Sequence, residues 1–117
     1  MSRSVVDRLQ DIIHSAEFAA QHAAGLVAAA LESSYRQRDA ALFRIAVIGE
    51  AVSHLPPEIQ ALAPEIPWNR IKDMRHHIIH AYWQIDLGIV ARTLEIRLDP
   101  LKVAAQRLIT LLENGDR

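Results

Sequence analysis

The sequence predicts an all-α protein, an up-and-down bundle of four to five helices. Apolar residues recur every three to four positions along most of the chain, the period of an amphipathic helix. Half of the residues are hydrophobic but only 5% are aromatic, and the apolar content is mainly Ala, Leu, Ile and Val, which suits close helix–helix packing. Prolines fall between the periodic stretches, where they break helices. The 117 residues are expected to form one domain, residues 1–117, since single domains commonly run to roughly 100–150 residues before they divide.

From Ser4 to about Tyr35, apolar positions at Val5, Leu9, Ile12, Ala16, Ala20, Ala23, Val27 and Leu31 predict one long helix, capped by Ser2 or Ser4. The polar run from Glu32 to Asp39 reads as a connection, with Asp39 as cap of a second helix that carries Leu42, Ile45, Ile48 and Val52. That helix must stop before Pro56-Pro57. Gly49 within it either permits a close helix crossing or is tolerated at modest cost. Pro57 at a first-turn position opens a short segment to Ala63, and Pro64 and Pro67 impose another break. Trp68, Ile71, Met74, Ile78, Ile79 and Tyr82 predict a third long helix, with Trp68 a core anchor at its start. Asp86 begins a fourth through Leu87, Val90, Leu94 and Leu98. Asp99-Pro100, as cap and first residue, then starts a last helix that ends near Asn114-Gly115.

The chain has no Cys, so disulfides and thiolate metal sites are excluded and nothing calls for an oxidising compartment. The N-terminus carries charges where a signal peptide needs an apolar core, and no stretch approaches the ~18 apolar residues of a spanning helix. A cytoplasmic protein without membrane contact is expected. The formal net charge is −1, so any contact with nucleic acid must be local.

Such a local patch exists. Arg70, Lys72, Arg75, His76, His77 and His80 are opposed only by Asp73 within Asn69–His80. On a regular helix, at roughly 100° per residue, Arg75 and Tyr82 share a face and His80 sits about 140° round from Arg75. A permanent guanidinium, an imidazole and a phenol form a set suited to holding a phosphodiester, moving protons and contacting a nucleotide. With the ribose 2′-OH as internal nucleophile, RNA cleavage needs only an acid/base group and a cation for the phosphorane charge, and no metal or other cofactor. His80 and Arg75 fit those roles. The rival readings are a solvated basic face, or a metal held by His76, His77 and His80 at helical spacings. His14 and His22, eight apart, read as polar-face residues.

The run Arg75-His-His-Ile-Ile-His80-Ala-Tyr82 resembles the Arg-x4-His-x-Tyr signature of the HEPN (higher eukaryotes and prokaryotes nucleotide-binding) family. Ile48-Gly-Glu50-Ala, Leu55-Pro-Pro-Glu58, Pro64-Glu-Ile-Pro-Trp68 and Ile85-Asp86-Leu-Gly-Ile-Val90 resemble its HepT-like branch. Together they cover roughly residues 40–112.

The resemblance implies an all-α homodimer that brings two signature helices together, and a metal-independent endoribonuclease with Arg75 and His80 catalytic. It further implies a toxin with an RNA substrate, paired with a small nucleotidyltransferase antitoxin that silences it by transferring AMP onto Tyr82. Many members carry Asn or Asp directly after the signature arginine; this chain has His76. Glu50 and Asp86, in the flanking motifs, are candidates to orient Arg75 or His80, with surface exposure and helix capping as their ordinary alternatives. The competing functions are a non-catalytic nucleotide-binding or regulatory partner of a nucleotidyltransferase, and a purely structural helical dimer.

Overall fold

The computed structural model of the protein describes residues 3–23, 35–86, 90, 92 and 97–115. These form α1 (Val5–Ala23), α2 (Tyr35–Ser53), a one-turn α3 (Pro57–Gln60), α4 (Trp68–His80), a 3-10 turn (Tyr82–Gln84) and α5 (Leu98–Gly115). There is no strand among the described residues, and the all-α expectation holds.

Ser4 is the cap of α1. Its Oγ accepts from the Asp7 amide at 3.0 Å, and Asp7 in turn accepts from the Ser4 amide at 3.1 Å. The two groups satisfy each other as in a capping box, here with Asp in place of the usual Glu. The carboxyl of Asp7 is held below its ordinary range chiefly by that backbone bond. Leu9, Ile12, Ala16 and Ala19 line one face of α1 and are buried. They pack against Ile48, Ala51 and Val52 of α2 and against Leu101, Ala104, Ala105 and Leu108 of α5. The predicted continuation of the first helix beyond Ala23 lies outside the described residues.

Contacts fix the helix directions. Near one end of the α1–α2 pair the Arg44 guanidinium lies over the Phe18 ring, 4.6 Å from its centroid. Near the other end the charge of Arg8 acts on Glu50. Position rises along one helix as it falls along the other, so α1 and α2 are antiparallel. The same logic makes α2 and α4 antiparallel, because Gly49 meets Arg75 while Asp39 meets Tyr82.

The connector between α2 and α4 is rigid for identifiable reasons. Trp68, 7% exposed, donates its indole N–H to the carbonyls of Gln60 and Ala63, both at 3.0 Å. The Gln60 amide reaches the carbonyls of Leu55 at 3.2 Å and Val52 at 3.4 Å, the latter also taking the Leu55 amide at 3.0 Å, and so ties the segment to the end of α2. Arg107 of α5 braces the other side through Glu65 at 2.8 Å. Trp68 is thus the predicted anchor, and Pro57 occupies the predicted first-turn position.

Three boundaries differ from the sequence reading. Helix α2 begins at Tyr35, so Asp39 is not its cap but an interior residue whose carboxylate is free to bond elsewhere. Helix α5 begins at Leu98, placing Asp99 and Pro100 in its first turn. Helix α4 ends at His80, where Ala81 turns to φ −134° and ψ 36°, so Tyr82 is not on the helix. Alanine does not break helices. The break is tertiary: Tyr82 packs beside Leu42, Ile45 and Ile78, and its phenol is bound by α2. Of the predicted fourth helix, Val90 and Arg92 are helical, and the Val90 amide donates to the Asp86 carbonyl at 3.1 Å; the rest lies outside the described residues.

Gly49 sets the spacing between α2 and α4. A Cβ placed there would lie 2.7 Å from the Arg75 Cβ and 3.1 Å from the Ile71 carbonyl oxygen. That separation is too short for two carbons, so the close-crossing alternative is the correct one. In an open helical position Gly→Ala gains roughly 1 kcal/mol, whereas overpacking a core costs typically ~1–3 kcal/mol. Gly49→Ala is therefore expected to lower the urea midpoint, and Gly115→Ala, with nothing within 4 Å of the added carbon, to leave it unchanged or raise it. Equal midpoints for Gly49→Ala and wild type in urea unfolding would refute the crossing argument.

Candidate active site

The signature helix carries a charged ridge on its exposed side. Arg70, Lys72, His76, His77 and His80 are exposed and Arg75 is half-buried. Because α4 sits against Gly49, Arg75 lies beside the next residue of α2, and its Nε is 2.9 Å from Glu50 Oε2. The other oxygen of Glu50, Oε1, is 3.0 Å from Nε2 of His54, one turn further on. A carboxylate only accepts, so the imidazole donates. The Glu50 carboxyl is held below its ordinary range, first by the bond from His54 and then by the charges of Arg75 and Arg8.

His80 faces a different neighbour. Its ring lies 4.4 Å, centroid to centroid, from that of His76 one turn earlier, and His77 stands edge-on to His76 at 6.2 Å. No hydrogen bond joins Arg75 to His80, consistent with their separation of about 140° around the helix. Among the described residues no three His, Asp or Glu side chains converge in a way that would hold a metal ion.

Tyr82 departs most from expectation. Having left the helix, it does not share a face with Arg75. Its hydroxyl donates to Asp39 Oδ1 at 2.6 Å and accepts from the Arg38 guanidinium, which also lies 5.2 Å from the ring centroid. The phenol is thus bracketed by an acid and a cation from the first turns of α2. Its pKa is pushed above the ordinary value, first by the bond to Asp39 and then by burial, while Asp39 is held low by the same bond. Asp86 is exposed just beyond the 3-10 turn, and its carbonyl receives the Val90 amide.

Sequence reasoning missed His54, Asp39, Arg38 and Trp83. The Glu50–His54 pair had a signal, an i,i+4 spacing at the end of α2; the Asp39–Tyr82 contact had none, since 43 residues separate the two. Trp83 is 88% exposed and Ile79 52%, so the ridge carries apolar as well as basic surface. A cavity of about 760 Å³ lies elsewhere on α4, against Ile71 and Met74, with Arg70, Arg92 and Arg97 among its lining; neither Arg75 nor His80 reaches it. No helix among the described residues is long and apolar enough to cross a membrane.

The all-α bundle and its Arg-x4-His-x-Tyr run fit a ribonuclease of the HEPN class. The family model described as "Ribonuclease HepT-like" matches residues 12–108, and the chain belongs to that family. It is 29% identical to "Probable ribonuclease HepT" of Thermococcus cleftensis over 108 residues, 92% of this chain and 98% of that protein. It is 31% identical over 80 residues, 68% of its length, to a protein of Methanocaldococcus jannaschii named "Gamma-glutamylcyclotransferase and putative RNase", of which it spans 35%. A second M. jannaschii protein, named "Putative RNase", is 33% identical over 70 residues, 60% of this chain and 58% of that one. No solved structure gives a significant match.

The bracket around Tyr82 has a titration consequence. A phenol whose folded-state pKa is raised adds stability that is fully present below its unfolded pKa and is lost as pH rises through the folded value. Asp39→Asn removes the carboxylate and leaves Arg38, which favours the phenolate, so Tyr82 should ionise at lower pH in that variant. The check is a 295 nm absorbance titration in a Tyr35→Phe background; an unchanged midpoint would show that Asp39 does not control the phenol.

Proposed function

We propose that this protein is a metal-independent endoribonuclease that acts as the toxin of a toxin–antitoxin pair. The observation that carries the reading is the exposed ridge on which Arg75, paired at Nε with Glu50, and His80 stand on one helix of a ribonuclease-family bundle. A ridge suits a strand laid across a surface better than a small molecule, which the separate cavity would hold. In this mechanism the 2′-OH attacks the adjacent phosphorus, the 5′-oxygen leaves, and a 2′,3′-cyclic phosphate forms. Arg75 stabilises the phosphorane charge, and His80 takes the 2′-OH proton and returns it to the departing 5′-oxygen.

The reading includes a homodimer. One α4 separates Arg75 from His80 around the helix, and a second copy could present its own half of the pair across a two-fold axis. The exposed Ile79 and Trp83 supply apolar surface beside the cations, of the kind that marks interaction sites. Light scattering at micromolar concentration should give twice the chain mass.

The proposed silencing is AMP transfer onto the Tyr82 hydroxyl by a nucleotidyltransferase antitoxin. The added phosphate would lie beside Arg38, which already contacts the phenol oxygen, rather than beside Arg75 as a continuous helix would have had it. Its bulk would then obstruct RNA at the end of the ridge.

The test uses total cellular RNA in EDTA. Wild type should cleave and leave cyclic phosphate, and Arg75→Ala and His80→Ala should each lose on the order of 10²–10⁴-fold in rate. Activity that vanishes in EDTA and returns with zinc would favour the histidine metal reading instead. Tyr82→Phe should retain cleavage within a few-fold yet gain no AMP-sized mass on incubation with antitoxin and ATP; a gain in that variant would place the modification elsewhere.

A further inference from the structure

We infer that His54 is a positioning residue for Arg75, acting through Glu50 to keep the outer edge of the guanidinium open for phosphate. The inference deepens the ribonuclease reading and rests on it only for its rate arm.

A carboxylate beside an arginine tends toward the bidentate arrangement, in which both oxygens take parallel N–H groups. Were Glu50 to bind Arg75 in that way, it would occupy an Nη that a phosphodiester needs. The structure shows why it does not. Oε1 is held by His54 at 3.0 Å, and the pairing with Arg75 runs from the other oxygen, Oε2, to Nε, 2.9 Å away. No other side chain pairs with Arg75 among the described residues. Its two terminal nitrogens make no hydrogen bond among the described residues and so are available to a phosphate.

His54 is itself well located for this. It is the residue after α2, with its amide on the Ala51 carbonyl at 3.1 Å. The next residue, Leu55, is buried at 4% exposure, and Pro56 follows. The chain cannot slide past that point, so the imidazole folds back over the last turn onto Glu50. The groups that bear on Glu50 are His54 just past α2, Arg75 from α4 and Arg8 from α1. The Nε of Arg8 is buried with no hydrogen-bond partner, so it does not compete for either oxygen. Only His54 holds Oε1.

If His54 acts through Glu50, its removal matters only while Glu50 is a carboxylate. The experiment is a double-mutant cycle on the full chain, with His54→Ala made in wild-type and in Glu50→Gln backgrounds. Rates are read as initial cleavage of total cellular RNA, and folding is checked by the thermal midpoint. His54→Ala should slow cleavage about 5–30-fold in the wild-type background, equivalent to ~1–2 kcal/mol, and less than two-fold in the Glu50→Gln background. His54→Gln, whose Nε2 can take the place of the ring Nε2, should restore most of the rate. Equal losses in both backgrounds, or no rescue by Gln, would overturn the inference.

A second measurement does not depend on activity. The Arg75 Nε–Hε NMR cross-peak, assigned by its loss in Arg75→Lys, should coincide in wild type and His54→Gln and shift or broaden in His54→Ala. An unmoved peak in His54→Ala would also overturn the proposal. If the peak moves but wild type cleaves no RNA, the positioning stands and the ribonuclease reading falls.

Discussion

The missing side chain at Gly49 is the constraint from which the rest of this structure follows. With no Cβ in the way, α4 descends until its own backbone meets α2, the carbonyl of Ile71 and the Cβ of Arg75 standing where a methyl group would otherwise be. That contact sets the register of the two helices, and the register sets the chemistry. The residue after the glycine is Glu50, so the first functional group Arg75 encounters is a carboxylate. Moved by one residue, α2 would offer Arg75 an alanine or a second backbone contact, and the guanidinium would have no fixed plane. A packing requirement and an electrostatic one are met by two adjacent residues.

Much of the fold was legible because it depends on periodicity and on strong local signals. The apolar spacing on α1, the paired prolines after α2, Trp68 at the head of α4 and the cap at Ser4 all act over one or two turns, the range a sequence displays. What was not legible was decided between elements. Nothing near Ala81 announces the end of a helix; the chain leaves it because Tyr82 gains a place among Leu42, Ile45 and Ile78 and two partners on α2. Asp39 looked like a cap by residue type, yet its carboxylate serves the phenol. In both cases a tertiary contact outweighed local propensity.

The site shows the same division. The composition of the stripe from Arg70 to His80 identified where cations gather, and the regular helix predicted that Arg75 and His80 point apart. How each is held was invisible: Arg75 by an acid that a histidine also grips, His80 by stacking on His76. A nearly neutral chain thus carries a predominantly basic stripe at its surface, with Glu50 paired to Arg75. Protein surfaces that contact phosphates commonly work in this way, with affinity set by a few charges and not by the net total.

The two tryptophans occupy opposite extremes. Trp68 is 7% exposed with its indole N–H doubly bonded, and Trp83 is 88% exposed at the tip of the ridge beside Tyr82, whose ring meets it edge-on at 5.6 Å. In the single chain their fluorescence should therefore separate into a blue, quencher-resistant component from the core and a red component open to iodide or acrylamide. The first reports on whether the bundle is folded. The second reports on whatever covers the ridge, so the unlabelled protein carries its own optical gauge of occupancy alongside one of integrity.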